Sequence, residues 1–398
     1  MQADTTIGLS ILSPNWFMMP LLNSLRNQLP DSSPDSAVAR ELDILEDIVS
    51  NLQIQPNFCI SHPDYKPLEL SAEMLDRVQQ LPVEIQNKYL SLQLLSFLYD
   101  IYDNGLDKAT ESAEANSTEL PLHPNLENNT VMGLNLEFYQ QLYENNTGTG
   151  YFEPGWLVIR EESDGKLAVH KNGLTLHIRP QYYLPPAAQS ATVGSLVTIR
   201  MPPNLVEHGF YVAVGNAGSV NAGPVNQKIG DRDNQIVNVY FNLSPEGAVA
   251  VMRGITEQLN EITIPFTFKV VDDPANYDRY DSGVLCFEKS NYDTVHPILE
   301  SVYAQHQSHF EMEVPLFTKQ LAPGLALSEE PVHKFTAEES FGMNRWQMVA
   351  NGLLEVWQNG NDSPEGRMNS IQQQFSQFGI ELRRPYLNAN SEDIYRKI

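Results

Sequence analysis

Cysteine is nearly absent from this chain, and so is any surplus of positive charge. Only Cys59 and Cys286 occur in 398 residues. They stand far apart, without the paired spacing of a zinc or redox motif, so no disulfide framework is indicated and a reducing compartment is expected. Lys and Arg total 25 against 50 Asp and Glu, a net charge of -25. Long-range repulsion at that charge disfavours nucleic acid and anionic lipid as main partners. A single phosphate group is not excluded, because a local cluster of cations outweighs a diffuse field that salt screens beyond roughly 10 Å. No run of about 18 apolar residues exists, and Met1-Gln2-Ala3-Asp4 lacks the basic flank and apolar core of a signal peptide. The expectation is a soluble cytoplasmic protein. The chain also has no phosphate-cradling Gly-rich loop, His-Glu-x-x-His pair, kinase catalytic loop or Gly-x-Ser-x-Gly elbow. His296, His306 and His309 read as isolated surface residues. Neither metal nor organic cofactor is expected.

What is present is a chain that is 41% apolar and long enough for a sizeable core. From Ser36, the apolar positions Val38, Leu42, Leu45, Ile48, Val49 and Leu52 share one helical face. Ser71 can cap a second helix through Met74, Leu75 and Val78. Pro82 opens a third that runs to Tyr102 and stops at Asn104-Gly105. Residues 106 to about 148 are polar and turn-rich, with one short helix near Leu134 to Tyr143, and read as a connection. Beyond them alternating and β-branched runs dominate, from Gly155 to Phe287, interrupted by a helix that Ser244-Pro245-Glu246 announces and a less regular one from Tyr292 to His306. The tail returns to helix at Thr336 and again at Ser363-Pro364. The sequence predicts an α+β protein: a helical N-terminal domain over 1-148, then a domain over 149-398 with a mixed or antiparallel sheet and flanking helices.

Against so acidic a background the cations need explaining. Lys319 and Arg345 edge a segment shaped by Pro315, Pro323 and Gly324, read as a loop. Lys269 sits within Pro265-Phe266-Thr267-Phe268-Lys269-Val270-Val271, on the same strand face as Thr267 and Val271. Partial desolvation there disfavours the ammonium form, so the amine could serve as a base; the plainer reading is a wet lysine paired with Asp273. Arg279 could grip a phosphate through two parallel N-H donors, with Asp281 orienting it or Lys269, or the two could form an ordinary surface ion pair. In Lys171-Asn172-Gly173-Leu174-Thr175-Leu176-His177-Ile178-Arg179, the residues Thr175, His177 and Arg179 share a face, which is either a donor set or one solvated side of a strand.

These landmarks resemble a known family. His62-Pro63-x-Tyr65-x-Pro67-Leu68-Glu69-Leu70, Lys88-Tyr89-Leu90, Leu98-Tyr99-x-Ile101-Tyr102-x-Asn104-Gly105, Lys171-x-Gly173-Leu174-Thr175, Gly209-Phe210-Tyr211-Val212-Ala213-x-Gly215, Tyr240-Phe241-Asn242, Phe268-Lys269-Val270-x-x-Asp273-Pro274 and the Tyr277 to Leu285 segment together are similar to the Hrp-outer-protein A type III effectors and their relatives. That group includes the lyase component of class V lanthipeptide synthetases. The resemblance implies elimination of phosphate from phosphoserine or phosphothreonine in a precursor peptide that a separate kinase-like partner has phosphorylated. By role it implies Lys269 as base, Lys171, Thr175, Arg279, Lys319 and Arg345 around the phosphate, Asp281 as an orienting carboxylate and His177 as acid, with no cofactor. The chain departs from the family at His177 and at Met343-Asn344 before the arginine. The alternative is a noncatalytic module that binds a protein or phosphopeptide with the same cations.

Overall fold

The computed structural model describes residues 36–103, 130–131, 134–207, 209–220, 235–337 and 339–398. The expected helix stop at Asn104-Gly105 lies outside them. Three amino-terminal helices form where periodicity placed them: α1 (Ser36–Asn51), α2 (Ala72–Gln79), whose cap Ser71 accepts from the Met74 N-H, and α3 (Val83–Leu98). Between α1 and α2, residues 53–68 make a small antiparallel three-stranded sheet. Helix α4 (Leu136–Asn145) follows, capped by Asn135.

A four-stranded antiparallel sheet comes next: β1 (Tyr151–Glu161), β2 (Leu167–Lys171), β3 (Leu174–Ile178) and β4 (Leu196–Met201), in the order β3-β2-β1-β4. It has its own apolar cluster around Trp156, Val158, Val169 and Ile199. The larger sheet holds β5 (Asn204–Glu207), β6 (Phe210–Val214), β7 (Ile236–Phe241), β8 (Phe266–Val271), β9 (Gly283–Glu288), β10 (Lys319–Ala322) and β11 (Leu325–Glu329). Its order is β5-β6-β8-β9-β7-β11-β10, with every pairing antiparallel. Helices α5 (Pro245–Glu261) and α6 (Tyr292–His306) lie in the chain between these strands, and α7 (Phe341–Gln358) and α8 (Pro364–Gln377) follow them.

Because side chains alternate along a strand, register divides the large sheet into two faces. One carries Tyr211, Phe266, Phe268, Val239, Phe241, Leu285 and Phe287, all buried in one core with α4, α5 and α6. At about 1.5–3 kcal/mol for each large apolar side chain buried, this face drives the packing. The other carries Phe210, Thr267, Lys269, Cys286, Asn238, Tyr240 and Ser328. The second core joins the amino-terminal helices to α7 and α8: Leu45, Leu94 and Leu98 pack with Phe317, Trp346, Leu353 and Phe375. Tyr102 stacks on Trp346 at 5.8 Å between ring centres, and Phe341 of α7 meets Tyr240 of the sheet at 6.4 Å. These helices therefore cover the β7-β11 end of the second face. The β6-β8 end stays partly open.

Three sequence expectations differ from the structure. Residues 319–329 are a hairpin of two strands, turned at Gly324 with φ of +70°, where a Cβ would lie 2.1 Å from the Glu311 carbonyl. The helix expected at Thr336 begins at Phe341, because the Glu339 carboxylate accepts from the Phe335 and Thr336 N-H groups and Ser340 caps the helix by accepting from Met343. His296, read as a surface residue, is 6% exposed in α6.

Candidate functional site

The open part of the second face is a row of polar side chains on three adjacent strands. In β8 burial alternates as the sequence implied: Phe266, Phe268 and Val270 are buried, while Thr267 and Lys269 are half-buried on the other side. Lys269 is registered against Val212 of β6 and Val284 of β9, and Thr267 against Cys286. The Lys269 ammonium lies 4.8 Å from the centre of the Phe210 ring and 3.8 Å from the Glu207 carboxylate; Asp273 instead accepts from the Ala275 N-H. The Arg279 guanidinium reaches the same ring at 5.5 Å, so Phe210 carries two cations. Asp281 grips Arg279 through both oxygens, at 2.5 and 2.9 Å. Burial pushes the Cys286 thiol up to about 11, although Lys269 and the Thr267 hydroxyl pull it back.

Position in the fold comes from both ends of the chain. Arg40 of α1 lies 5.3 Å over the Tyr280 ring and donates to the Val314 carbonyl, so the amino-terminal layer holds the segment that carries Arg279 and Asp281. In that layer Asp47 accepts from Asn51 at 2.7 Å and from the Tyr102 hydroxyl at 3.1 Å, and stands 3.2 Å from His62 Nε2. The His62 Nδ1 accepts from the Asp64 N-H, and Tyr65 packs between the His62 and Tyr102 rings.

The remaining candidates lie elsewhere. Lys171 donates to Glu153 at 2.8 Å and to the Pro154 carbonyl at 3.0 Å; Thr175 meets His170; His177 pairs with Glu162 at 3.1 Å. All three belong to the four-stranded sheet. Lys319 donates to both oxygens of Asp393 and to the Tyr395 carbonyl, each at 2.8 Å, and so ties down the carboxyl-terminal segment. Arg345 is wholly buried, donating to the Pro385 and Leu387 carbonyls and to Asn344. The structure thus brings together Lys269, Arg279 and Asp281, and holds Lys171, Thr175, His177, Lys319 and Arg345 to other partners. Glu207, Cys286 and Asn238 were not expected at this face, and Phe210 was expected only as part of a family landmark. Among the described residues no group of three or more His, Cys, Asp or Glu could hold a metal ion, and no helix is long and apolar enough to cross a membrane.

The fold and this face define an α+β protein with an antiparallel seven-stranded sheet between two helical cores. Residues 201–387, which contain Lys269, Arg279 and Asp281, match the model of the HopA1 effector protein family. Two solved effector proteins are also similar in structure. The one from Pseudomonas syringae pv. tomato strain DC3000 shows 15% identity and a TM-score of 0.37, over 64% of this chain and 81% of that one. The one from Pseudomonas syringae pv. syringae strain 61 shows 13% identity and the same TM-score over the same shares. No curated protein matches.

Proposed function

We propose that this protein is a phosphoserine or phosphothreonine lyase acting on a phosphorylated peptide, with its site at Lys269 and Arg279. The supporting observation is the meeting of an ammonium and a guanidinium on one aromatic ring, on a partly open sheet face, in a chain of net charge -25. Elimination needs a base for the α-proton and cations for the departing phosphate. In the proposed step Lys269, in its neutral amine form, takes the Cα proton, the Cα=Cβ bond forms as the Cβ-O bond breaks, and the phosphate leaves on the Arg279 fork, its new oxygen lone pair taking a proton from the Lys269 ammonium just formed or from solvent, which returns the amine. Asp281 holds that fork in line and gives way to the phosphate oxygens, which match its two-oxygen geometry. The reaction has no redox step. A maturation role on a ribosomal peptide, with a kinase-like partner supplying the phosphate, follows from the resemblance.

A second reading is a noncatalytic phosphopeptide-binding module, favoured by the seating of His177 on the other sheet, opposite Glu162. Incubating the protein with phosphothreonine and phosphoserine peptides separates the two. A lyase converts the peptide to the dehydroamino acid, seen by mass as loss of phosphoric acid, and the Lys269→Ala variant retains affinity without turnover. A module binds, leaves the mass unchanged, and loses affinity with Lys269.

A further inference from the structure

The four-stranded sheet ends at β3 in an edge that no other strand takes up among the described residues. Asn172 and Gly173, with φ of +49° and +81°, make the two-residue turn that joins β2 to β3, and the pairing from Lys171 opposite Leu174 to Leu167 opposite Ile178 runs without a shift. Such a turn closes on a hydrogen-bonded pair and bonded pairs then alternate, so the backbone groups of Leu174, Leu176 and Ile178 point at β2. Those of Thr175 and His177 point the other way, out of the edge. Unpaired edges invite stray pairing, and proteins blunt them with lysine, proline or bulges. At the opposite edge, β4 pairs with β1 across a register shift and runs into Pro202 and Pro203. The Leu174-Thr175-Leu176-His177-Ile178 strand has none of these devices, and Leu174 is 53% exposed.

The two faces of β3 differ in chemistry. Ile178 is buried in the sheet's own apolar cluster, Leu176 packs on it, and Leu174 carries that face outward. Thr175, His177 and Arg179 lie on the other face and are exposed; Arg179 continues the extended backbone and forms no ion pair among the described residues. The carboxylates beside it are already engaged, Glu162 by Arg160 and His177 and Glu153 by Lys171. Residues 151–201 hold five Lys and Arg against four Asp and Glu, in a chain of net charge -25, so this sheet escapes the acidity of the rest. We propose that β3 is a docking edge for an extended segment of a partner polypeptide whose residues alternate apolar and acidic, added as a fifth strand. Its backbone exchanges hydrogen bonds with Thr175 and His177, its apolar side chains fall beside Leu174 and Leu176, and its carboxylates fall beside Thr175 and Arg179. A second copy of this chain fits less well, because pairing β3 with itself sets the same cations against each other and brings two charges of -25 together. The edge shares no residue with the Lys269 site and belongs to the other sheet.

The test titrates a fluorescein-labelled Val-Glu-Val-Asp-Val-Glu-Val peptide with the full chain, read by fluorescence anisotropy, beside the same peptide with lysine at every acidic position and a form methylated on alternate backbone nitrogens. The acidic peptide is expected to bind, and the other two to bind at least about tenfold more weakly. Thr175→Pro removes an N-H that β2 does not use, so it should weaken binding at least about tenfold while Tm stays within a few degrees. Arg179→Glu should weaken the acidic peptide and strengthen the lysine form, a reversal that a folding defect does not produce. Lys269→Ala should leave the affinity unchanged, so this proposal and the lyase reading fail separately. Absence of binding, equal binding of the two charge forms, or binding that survives Thr175→Pro overturns the proposal. So does a dimer, seen by sedimentation without peptide, that Thr175→Pro dissolves; that result assigns the edge to a second copy.

Discussion

At the scale of single residues, what matters is which cations share a surface. Arg279 and Lys269 share Phe210, and the two are not interchangeable with each other or with their homologues: the guanidinium matches two phosphate oxygens at once, whereas an ammonium is a point charge. Arg279→Lys is therefore expected to raise KM for a phosphopeptide at least tenfold, a loss of about 1.4 kcal/mol or more, while the far-ultraviolet circular dichroism stays unchanged. Phe210→Leu keeps the apolar surface but removes the ring face that carries both cations, and should lower kcat/KM without lowering Tm by more than a few degrees. Equal turnover in either variant would show that phosphate is not held here. Sequence alone supplied the face of Lys269, since alternation is local. It could not supply Glu207 or Cys286 as neighbours, because strand partners separated by many residues are set by the sheet order.

At the scale of elements, helices were the most legible part, for a physical reason: caps and apolar stripes act within a few residues. Ser71, Ser244 and Ser363 each cap the helix they were expected to open. The 319–329 hairpin was read as a loop because β11 is buried on both faces and so shows no alternation, while Pro323 and Gly324 signal only the turn. The start of α7 was missed because Glu339 captures backbone donors ahead of the helix instead of lying in its first turn. Ser340→Ala removes the acceptor for Met343 and should cost about 1 kcal/mol in urea unfolding. Phe268→Ala, by contrast, opens a void in the main core and should cost about 3–5 kcal/mol. If Ser340→Ala proved as damaging as Phe268→Ala, the division of labour between cap and core drawn here would be wrong. Gly352 lets α7 approach α8 closely: a Cβ there would lie 2.7 Å from the Ile371 nitrogen.

At the scale of the whole molecule, the carboxyl-terminal segment is a strap across the sheet. Lys289 and Tyr395 both bond the fully buried Glu329, Lys319 holds Asp393, and the Ile398 N-H donates to Leu321. Burial pushes the Asp393 carboxyl up, but donation from Lys319 and Tyr386 outweighs it and the net result is a lowered value. A carboxyl depressed on folding stabilises above its unfolded value of about 3.9 and loses that contribution as pH falls through the folded value. The wild-type Tm should therefore drop on acidification below about pH 4 more steeply than that of Asp393→Asn, which lacks the titrating group. Parallel curves would exclude Asp393 from the acid sensitivity. The dispersal of the cations between two sheets and the strap is a property of this level, and no spacing along the chain reveals it.

The most direct measurement is mass spectrometry of phosphothreonine and phosphoserine peptides incubated with the wild-type protein and with Lys269→Ala. Loss of phosphoric acid is expected with the wild type, and turnover reduced by about 10² to 10⁴-fold in the variant, the range for removing a general base. Elimination that proceeds undiminished without Lys269, or peptide that binds the wild type and keeps its phosphate, would contradict it.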